Sequence, residues 1–202
     1  MKTLIIIDVQ NDFIPGGSLA VPEGDKIIPL INSIQDKFDL VVASQDWHPE
    51  DHISFASNNP GKKIFDQIQV HGQQQTLWPN HCVQESKGAE FHPQLNTRRI
   101  EAIFRKGTDK NIDSYSVFYD NGHLKSTGLT GYLKAQGASQ LYMCGLASDF
   151  CVYYSLMDAF KEGFACFFIE DASRPINSEQ LEKQKEEMRY HGIQIISASD
   201  IE

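Results

Sequence analysis

The sequence has no long hydrophobic run, and this absence excludes a membrane-spanning helix. Its uninterrupted apolar stretches are only a few residues long, whereas a helix that crosses a bilayer needs about 20 apolar residues. The N-terminus also lacks the pattern of a secretory signal, because the apolar run at residues 4–7 is followed at once by Asp8. We therefore expect a cytoplasmic protein that does not associate with membranes.

Basic residues and cysteines are also scarce. The 18 Lys and Arg residues face 27 Asp and Glu residues, giving a net charge of −9. Since the basic residues form no stripe, no nucleic-acid partner is expected. The four cysteines are expected to be reduced thiols, because nothing predicts export to an oxidising compartment. With 202 residues, no internal repeat and no linker-like stretch, the sequence predicts a single domain over residues 1–202.

Short apolar segments alternate with helical patterns along most of the chain. Continuous β-branched and apolar runs are typical of strands buried on both faces of a parallel sheet. Six such runs occur, at residues 4–7, 40–43, 100–104, 141–144, 165–169 and 193–196. They predict an α/β fold with a three-layer, doubly wound, six-stranded parallel sheet. Residues 58–99 show no clear periodicity, and so long an irregular stretch in a compact domain is usually functional.

The stretch at residues 145–152, Gly-Leu-Ala-Ser-Asp-Phe-Cys-Val, combines a strand end, a tight turn and a helix start. This arrangement predicts that Cys151 lies in the first turn of a helix. There the unpaired N–H groups and the macrodipole would favour a thiolate and could bind an oxyanion. The alternative is a buried structural cysteine, which is the usual state of a free thiol.

Other reactive side chains also follow predicted strands. Asp8, Lys106 and the pair Asp46 and His48 all lie at or just beyond strand ends. Since the carboxyl ends of parallel strands meet at one edge of the sheet, we expect them to converge with Cys151. An Asp and a His two residues apart on an extended chain point to the same side and suit a divalent transition metal. Taken singly, each has an alternative in a solvated loop or a capping role.

Several blocks of this sequence resemble the nicotinamidases (pyrazinamidases) of the isochorismatase-like cysteine hydrolases, and the resemblance runs nearly from end to end. The blocks are Ile7-Asp8-Val9-Gln10-Asn11-Asp12-Phe13, Gln45-Asp46-Trp47-His48-Pro49, His52-Ile53-Ser54-Phe55, Trp78-Pro79-Asn80-His81-Cys82-Val83, Arg105-Lys106-Gly107, Asp113-Ser114-Tyr115-Ser116 and residues 145–152. The Asp-Trp-His-Pro and Trp-Pro-Asn-His-Cys blocks are the specific ones, because they resemble a metal site that marks nicotinamidases within the superfamily. Ser148 is a small departure, since many relatives carry threonine there.

The resemblance implies the isochorismatase-like hydrolase fold and a catalytic triad of Asp8, Lys106 and Cys151. In this interpretation Asp8 is the general acid and base, Lys106 stabilises the ionised pair, and Cys151 attacks a carboxamide carbon to form a thioester. The N–H groups of Ala147 and Cys151 would form the oxyanion hole. A cis peptide bond between Leu146 and Ala147 is expected with it.

The resemblance also implies one bound divalent transition metal, with zinc expected first and iron or manganese as alternatives. Asp46, His48 and His81 would be its ligands, and His52 either a fourth ligand or a neighbour. The aromatic side chains of Phe13, Trp78 and Tyr115 would enclose the flat ring of a small carboxamide. The expected reaction is the hydrolysis of nicotinamide, and of pyrazinamide, in NAD salvage. The sequence leaves the oligomeric state open.

Three alternatives remain at this stage. One is another amide or ureido hydrolase of the same superfamily, of the carbamoylsarcosine or ureidoacrylate type, which would lack the metal blocks. The second is a zinc-binding protein without enzymatic activity, in which Cys82 and Cys151 ligate the metal together with histidines. The third is a cysteine hydrolase with His81 as its base. Under the favoured interpretation, Cys82, Cys144 and Cys166 serve packing alone.

Overall fold

A twisted parallel sheet organises the chain in the computed structural model, which describes residues 1–202. The strands in chain order are β1 (Lys2–Ile7), β2 (Leu40–Asp46), β3 (Gln67–Val70), β4 (Gln73–Thr76), β5 (Ile100–Lys106), β6 (Gln140–Leu146), β7 (Ala165–Arg174) and β8 (Gln194–Ile196). Six of them form the sheet in the order β5-β2-β1-β6-β7-β8, and every neighbouring pair is parallel. The predicted six-stranded parallel sheet is therefore confirmed.

Four α-helices accompany the sheet: α1 (Ile28–Ile34), α2 (Leu129–Gln136), α3 (Tyr153–Lys161) and α4 (Ser178–Tyr190). Pro29 lies in the first turn of α1, where its missing N–H costs no hydrogen bond. Gly137 ends α2 in the left-handed conformation, with φ of 77°. The side chain of Asn177 caps α4 by accepting hydrogen bonds from two backbone N–H groups. None of these helices combines the length and the apolar character needed to cross a bilayer.

The hydrophobic core divides into two clusters, one on each face of the sheet. Leu4 and Ile6 belong to the first cluster, whereas Ile5 and Ile7 belong to the second. Successive side chains of a strand point to opposite faces, so β1 is buried on both sides. The first cluster includes residues of α1, and the second includes residues of α2, α3 and α4. This gives the predicted three layers, and strands from residues 2 to 196 belong to one sheet.

The stretch that appeared irregular in the sequence contains an element of its own. Strands β3 and β4 form an antiparallel hairpin separate from the main sheet. Its two turn residues, His71 and Gly72, both have positive φ, as the tight turns favoured in hairpins require. The sequence does not reveal this hairpin because β4 reads Gln-Gln-Gln-Thr, without the alternation of apolar and polar residues that predicts a strand.

The position of Cys151 also differs from the prediction. Residues Ser148–Val152 form a short π-helical turn, and the regular helix α3 begins only at Tyr153. Cys151 therefore lies in a π-helical turn that runs directly into α3, whereas a regular first turn was predicted. Such wide turns are rare and are frequently found at functional sites.

Candidate active site and metal centre

The carboxyl ends of adjacent strands bring the reactive side chains together. Asp8 directly follows β1, Asp46 and Lys106 end β2 and β5, and Cys151 follows β6. Asp46 and Lys106 are register partners in neighbouring strands, which puts their side chains side by side. Ligand atoms of Asp8, Asp46 and Cys151 all lie within 4.8 Å of one another. The structure thus brings together the residues that the sequence singled out.

Lys106 is the centre of this cluster. Its Nζ lies 2.8 Å from Asp8 Oδ2 and 2.5 Å from Asp46 Oδ1. It also donates to the carbonyl of Ser114 at 3.1 Å and lies 3.4 Å from Cys151 Sγ. Burial opposes the charge of Lys106, but the two carboxylates outweigh burial and raise its pKa well above the ordinary value. A buried, charged ammonium group therefore contacts both carboxylates and the thiol.

Asp8 is held on two sides. Its Oδ2 faces Lys106, and its Oδ1 accepts a hydrogen bond from Ser44 Oγ at 2.6 Å. Ser44 Oγ accepts in turn from the backbone N–H of Asp8 at 3.2 Å. Burial raises the pKa of Asp8, although Lys106 opposes the shift. A carboxylate with a raised pKa that is fixed beside a thiol is suited to accept and return a proton.

The pKa of the Cys151 thiol is shifted in the direction opposite to the prediction. The sequence predicted that a helix N-terminus would favour the thiolate. In the folded protein burial raises the pKa of the Cys151 thiol well above its ordinary value, although Lys106 opposes the shift, and Asp8 raises it further. These contributions favour the protonated thiol, so a base beside the sulfur would assist its reaction. The Leu146–Ala147 peptide bond is cis, as expected.

Three side chains form a potential metal site next to this cluster. Ligand atoms of Asp46, His48 and His81 lie within 4.8 Å of one another, and all three residues are buried. His48 Nδ1 lies 2.9 Å from the carbonyl oxygen of Gly107, and His81 Nδ1 lies 2.7 Å from that of Pro79. Since a carbonyl only accepts hydrogen bonds, each Nδ1 carries a proton, so Nε2 is the atom with a free lone pair when the ring is neutral.

Both free Nε2 atoms face the same carboxylate oxygen. They lie 3.4 Å (His48) and 3.6 Å (His81) from Asp46 Oδ2, and His48 Nε2 is buried without a hydrogen-bond partner. Two imidazoles and a carboxylate are typical ligands of zinc and related divalent ions, and the carbonyl contacts are those that orient ligating histidines. A side-chain carbon at Gly107 would lie 2.3 Å from His48 Cε1, so glycine is required there. The residues fit a divalent metal.

His52 lies beside this set. Its ring centroid is 4.2 Å from that of His48. Its Nδ1 lies 2.7 Å from Ser54 Oγ and its Nε2 lies 3.4 Å from the carbonyl of Ile112, so both nitrogen atoms have protein partners. Burial lowers the pKa of His52 to about 4, which keeps the ring neutral. The geometry is that of a neighbour that packs against His48, although a ligand atom of His52 also lies within 4.8 Å of His48 and Asp113.

A narrow cleft opens onto Cys151 and the potential metal site. All three predicted aromatic residues line it. The full lining is Phe13, Leu19, Asp46, Trp78, His81, Asp113, Tyr115, Ala147, Phe150, Cys151 and Ile176. Phe13 packs against His81 with ring centroids 5.5 Å apart, and Trp78 meets Phe150 edge to face at 5.0 Å. The walls are apolar and the floor carries the reactive groups, as in pockets for small flat ligands.

Sequence reasoning missed several members of the site. Leu19, Asp113, Phe150 and Ile176 line the cleft but come from loops and turns far apart in the chain. Asp113 and Phe150 lie within blocks that the resemblance identified, which was the available signal, whereas nothing in the sequence points to Leu19 or Ile176.

Two supporting residues were missed as well. Gln10 is fully buried. It accepts from the Asp46 N–H at 2.8 Å and donates to the Asp46 carbonyl at 2.8 Å. Asp12 Oδ2 accepts from the N–H of Cys82 at 2.7 Å, which fixes the loop that carries His81. Gln10 and Asp12 both belong to the first block of the resemblance, residues 7–13. The sequence therefore indicated that they match the family, but not that they hold Asp46 and the His81 loop in place.

Two of the alternatives find no support: the zinc-binding protein in which Cys82 and Cys151 ligate the metal, and the cysteine hydrolase with His81 as its base. No potential metal-binding group of the structure includes Cys82, and Cys151 is grouped with Asp8 and Asp46 instead of with histidines. The Nε2 of His81 faces Asp46, as expected of a metal ligand and not of a base for the thiol.

Comparison with known proteins agrees with this geometry. The family model described as "Isochorismatase domain" matches residues 2–200. A nicotinamidase of Acinetobacter baylyi is 48% identical over 199 residues, covering 98% of this chain and 93% of that protein. The solved nicotinamidase/pyrazinamidase of Acinetobacter baumanii has a TM-score of 0.97 at 46% identity, covering 100% of this chain and 98% of that one.

A third relative bears on the metal. The structure of the Pyrococcus horikoshii pyrazinamidase in complex with zinc has a TM-score of 0.80 at 38% identity, covering 97% of this chain and 98% of that one. The likenesses extend over nearly the whole chain. This chain belongs to the isochorismatase family, within its nicotinamidase branch.

Proposed function

We propose that the protein is an amidohydrolase that converts nicotinamide, and also pyrazinamide, to the corresponding carboxylate and ammonia. The observation that carries the proposal is the contact of one buried lysine with Asp8, Asp46 and Cys151, at the floor of a cleft with aromatic walls. Nicotinamidases of similar sequence and structure support the substrate assignment. The product nicotinate suits a role in NAD salvage.

In the first half of the reaction, the Cys151 sulfur attacks the carboxamide carbon and Asp8 takes the thiol proton. The raised pKa of Lys106 keeps its ammonium group charged. This charge stabilises the Asp8 carboxylate before the proton moves and the Cys151 thiolate after it has moved. The N–H groups of Ala147 and Cys151 stabilise the oxyanion of the tetrahedral intermediate. The intermediate breaks its C–N bond as Asp8 returns the proton to the leaving nitrogen, which gives ammonia and an acyl thioester on Cys151.

In the second half, water attacks the thioester carbon while Asp8 takes one of its protons. The C–S bond breaks and the thiol of Cys151 is restored with that proton. The product leaves as the carboxylic acid, which gives its remaining proton to solvent or ammonia and so becomes the carboxylate. Each half thus uses Asp8 once as base and once as acid. The raised pKa of Asp8 supports this double role, since the group must hold a proton for part of each cycle.

Asp46, His48 and His81 would hold the divalent metal, and we propose zinc. A metal bound there would supply Lewis acidity at the cleft that Phe13 and Trp78 line. The buried, unpartnered His48 Nε2 supports this assignment. We propose His52 as a neighbour that orients the His48 ring, not as a ligand.

We also propose a cytoplasmic location. The four cysteines are free and buried, which is the state expected in a reducing compartment.

Release of ammonia from nicotinamide by the purified protein tests the proposed function. Activity is measured before chelation, after chelation, and after return of zinc, iron or manganese. We expect hydrolysis that is lost on chelation and restored by a divalent metal. Fully metallated protein that leaves nicotinamide and pyrazinamide intact would contradict the proposal and favour a ureido or other amide substrate.

A further inference from the structure

Gln75 lies in the hairpin outside the main sheet, yet its side chain is buried and contacts residues of the cleft wall. Gln75 in β4 is only 3% exposed, whereas its neighbours Gln73 and Gln74 are exposed. A glutamine loses side-chain entropy and hydration when it is buried, so its amide must have good hydrogen-bond partners. The position of these partners indicates what the residue does.

The amide of Gln75 reaches from the hairpin to the loop that forms one wall of the cleft. Its Nε2 lies 2.8 Å from the carbonyl of Thr76, 2.9 Å from Asp113 Oδ2 and 3.3 Å from the Tyr115 hydroxyl. Its Oε1 accepts from Asn121 Nδ2 at 3.4 Å. Exchanging the amide nitrogen and oxygen would point Oε1 at a carbonyl and a carboxylate, which only accept hydrogen bonds, so the orientation is fixed.

The Tyr115 hydroxyl has a second donor. Trp78 Nε1 lies 3.3 Å from the same oxygen. An indole N–H and an amide NH₂ only donate, so the phenol oxygen acts as the acceptor toward both, and neither donor uses the hydroxyl hydrogen. The amide shares its two hydrogens among three acceptors, and Tyr115 is the most distant of the three. The ring stacks on Tyr154 at 5.3 Å and meets Phe150 at 5.5 Å. These contacts hold the ring while the two donors fix the oxygen as an acceptor.

We propose that Gln75 is a positioning residue for the substrate. Gln75 donates to Tyr115 and Asp113, both of which line the cleft. The Tyr115 hydroxyl hydrogen is then free to be donated to a ligand in the cleft. The ligand it favours is a planar heteroaromatic carboxamide with an acceptor atom on that side. Gln75 itself does not line the cleft, so its effect passes through the wall. This inference rests on the proposed function and concerns substrate binding at the same site.

Gln75→Met keeps the length of the side chain and removes its hydrogen bonds. The substitution leaves the acceptor oxygens of Asp113 and Tyr115 without this donor, and an unpaired buried acceptor weakens binding. We therefore expect KM for nicotinamide to rise about five- to thirtyfold, while kcat stays within about threefold. Gln74→Met, on the same strand and exposed, is the matched control and should change neither constant. Tyr115→Phe should raise KM similarly, and the double variant should show less than the product of the two single effects.

A purely structural role predicts a different pattern. If Gln75 only anchors the hairpin, Gln75→Met lowers the melting temperature and leaves KM unchanged, and that result would overturn the proposal. A fall in kcat with KM unchanged would overturn it as well. Should Gln75→Met fail to fold, Tyr115→Phe decides the matter, because an unchanged KM in that variant contradicts a substrate role for the hydroxyl.

A second readout does not depend on activity. The chain has two tryptophans, so Trp47→Phe leaves Trp78 as the single emitter. In that background we expect Gln75→Met to shift the emission of Trp78, because the Tyr115 hydroxyl that accepts from its indole is released, and Gln74→Met to leave the emission unchanged. An emission unaltered by Gln75→Met would overturn the inference. Failure of the unaltered protein to hydrolyse nicotinamide would instead overturn the proposed function.

Discussion

The floor and the walls of the cleft are built in different ways. Asp46 and Cys151 line the floor, and Asp8 and Lys106 are buried beside them. These four groups lie at the ends of four strands and hold one another through contacts of 2.5 to 3.4 Å. The walls come from loops and a turn, and their rings meet through apolar contacts at centroid distances of about 5 to 6.5 Å. Chemistry and selectivity therefore have separate structural supports. Substitutions at the floor should lower kcat, whereas substitutions in the walls should raise KM.

The largest expected effect is at the floor. Cys151→Ala removes the nucleophile, so turnover of nicotinamide should fall at least about 10⁴-fold. The fold and the metal content should remain, because Cys151 is not among the proposed ligands. Steady-state kinetics, circular dichroism and metal analysis on the same preparation check this. Near-normal turnover by Cys151→Ala would refute the thioester mechanism.

The next largest effect separates two buried histidines of the same region. His48→Ala removes a proposed ligand and should weaken metal binding by more than about 100-fold, whereas His52→Ala removes an outer neighbour and should cost about tenfold or less. Competition of each variant with a chelator of known affinity measures the difference. Equal losses in the two variants would make His52 a ligand, and unchanged metal content in His48→Ala would contradict the assigned site.

A smaller effect is expected at the wall. Phe150→Leu removes an aromatic ring that packs against Trp78 and Tyr115, so KM should rise about two- to tenfold while kcat stays within about threefold. Phe160→Leu is the matched control, since Phe160 is 38% exposed on α3 and does not line the cleft. A loss in kcat alone would show that floor and walls are not separable.

The smallest expected effect is a shift in pH dependence. Asp8 must be ionised to take the thiol proton, and burial raises its pKa above the ordinary 3.8. On the acid side, kcat/KM should therefore fall as pH drops through a value higher than 3.8. The Ser44 hydrogen bond favours the ionised form, so Ser44→Ala should move this limb upward by up to about one pH unit. A limb that moves downward would exclude Asp8 as its source.

The same division explains what the sequence could predict. Asp8, Asp46, Lys106 and Cys151 follow short apolar strands, and the convergence of strand ends in parallel sheets needs no further information. The roles of His81 as a proposed metal ligand and of the aromatic residues of the wall came from the resemblance, because they lie in stretches without periodicity.

Features that depend on long-range contacts could not be predicted. The buried Gln75 lies in a run of three glutamines that looks like a solvated loop, and only its contact with the loop at Asp113 distinguishes it. The raised pKa of Cys151 is hidden in the sequence for a similar reason. A local helix N-terminus is visible in the sequence, whereas the burial that opposes ionisation arises from the whole fold.

The central claim is that Cys151 carries the acyl group between the two halves of the reaction. Rapid acid quenching of the enzyme with nicotinamide, followed by digestion and mass spectrometry, tests this claim directly. We predict a nicotinoyl thioester on the peptide that contains Cys151, appearing before steady state and absent from Cys151→Ala. Active enzyme that shows no acylated peptide under these conditions, or acylation at another residue, would contradict the account.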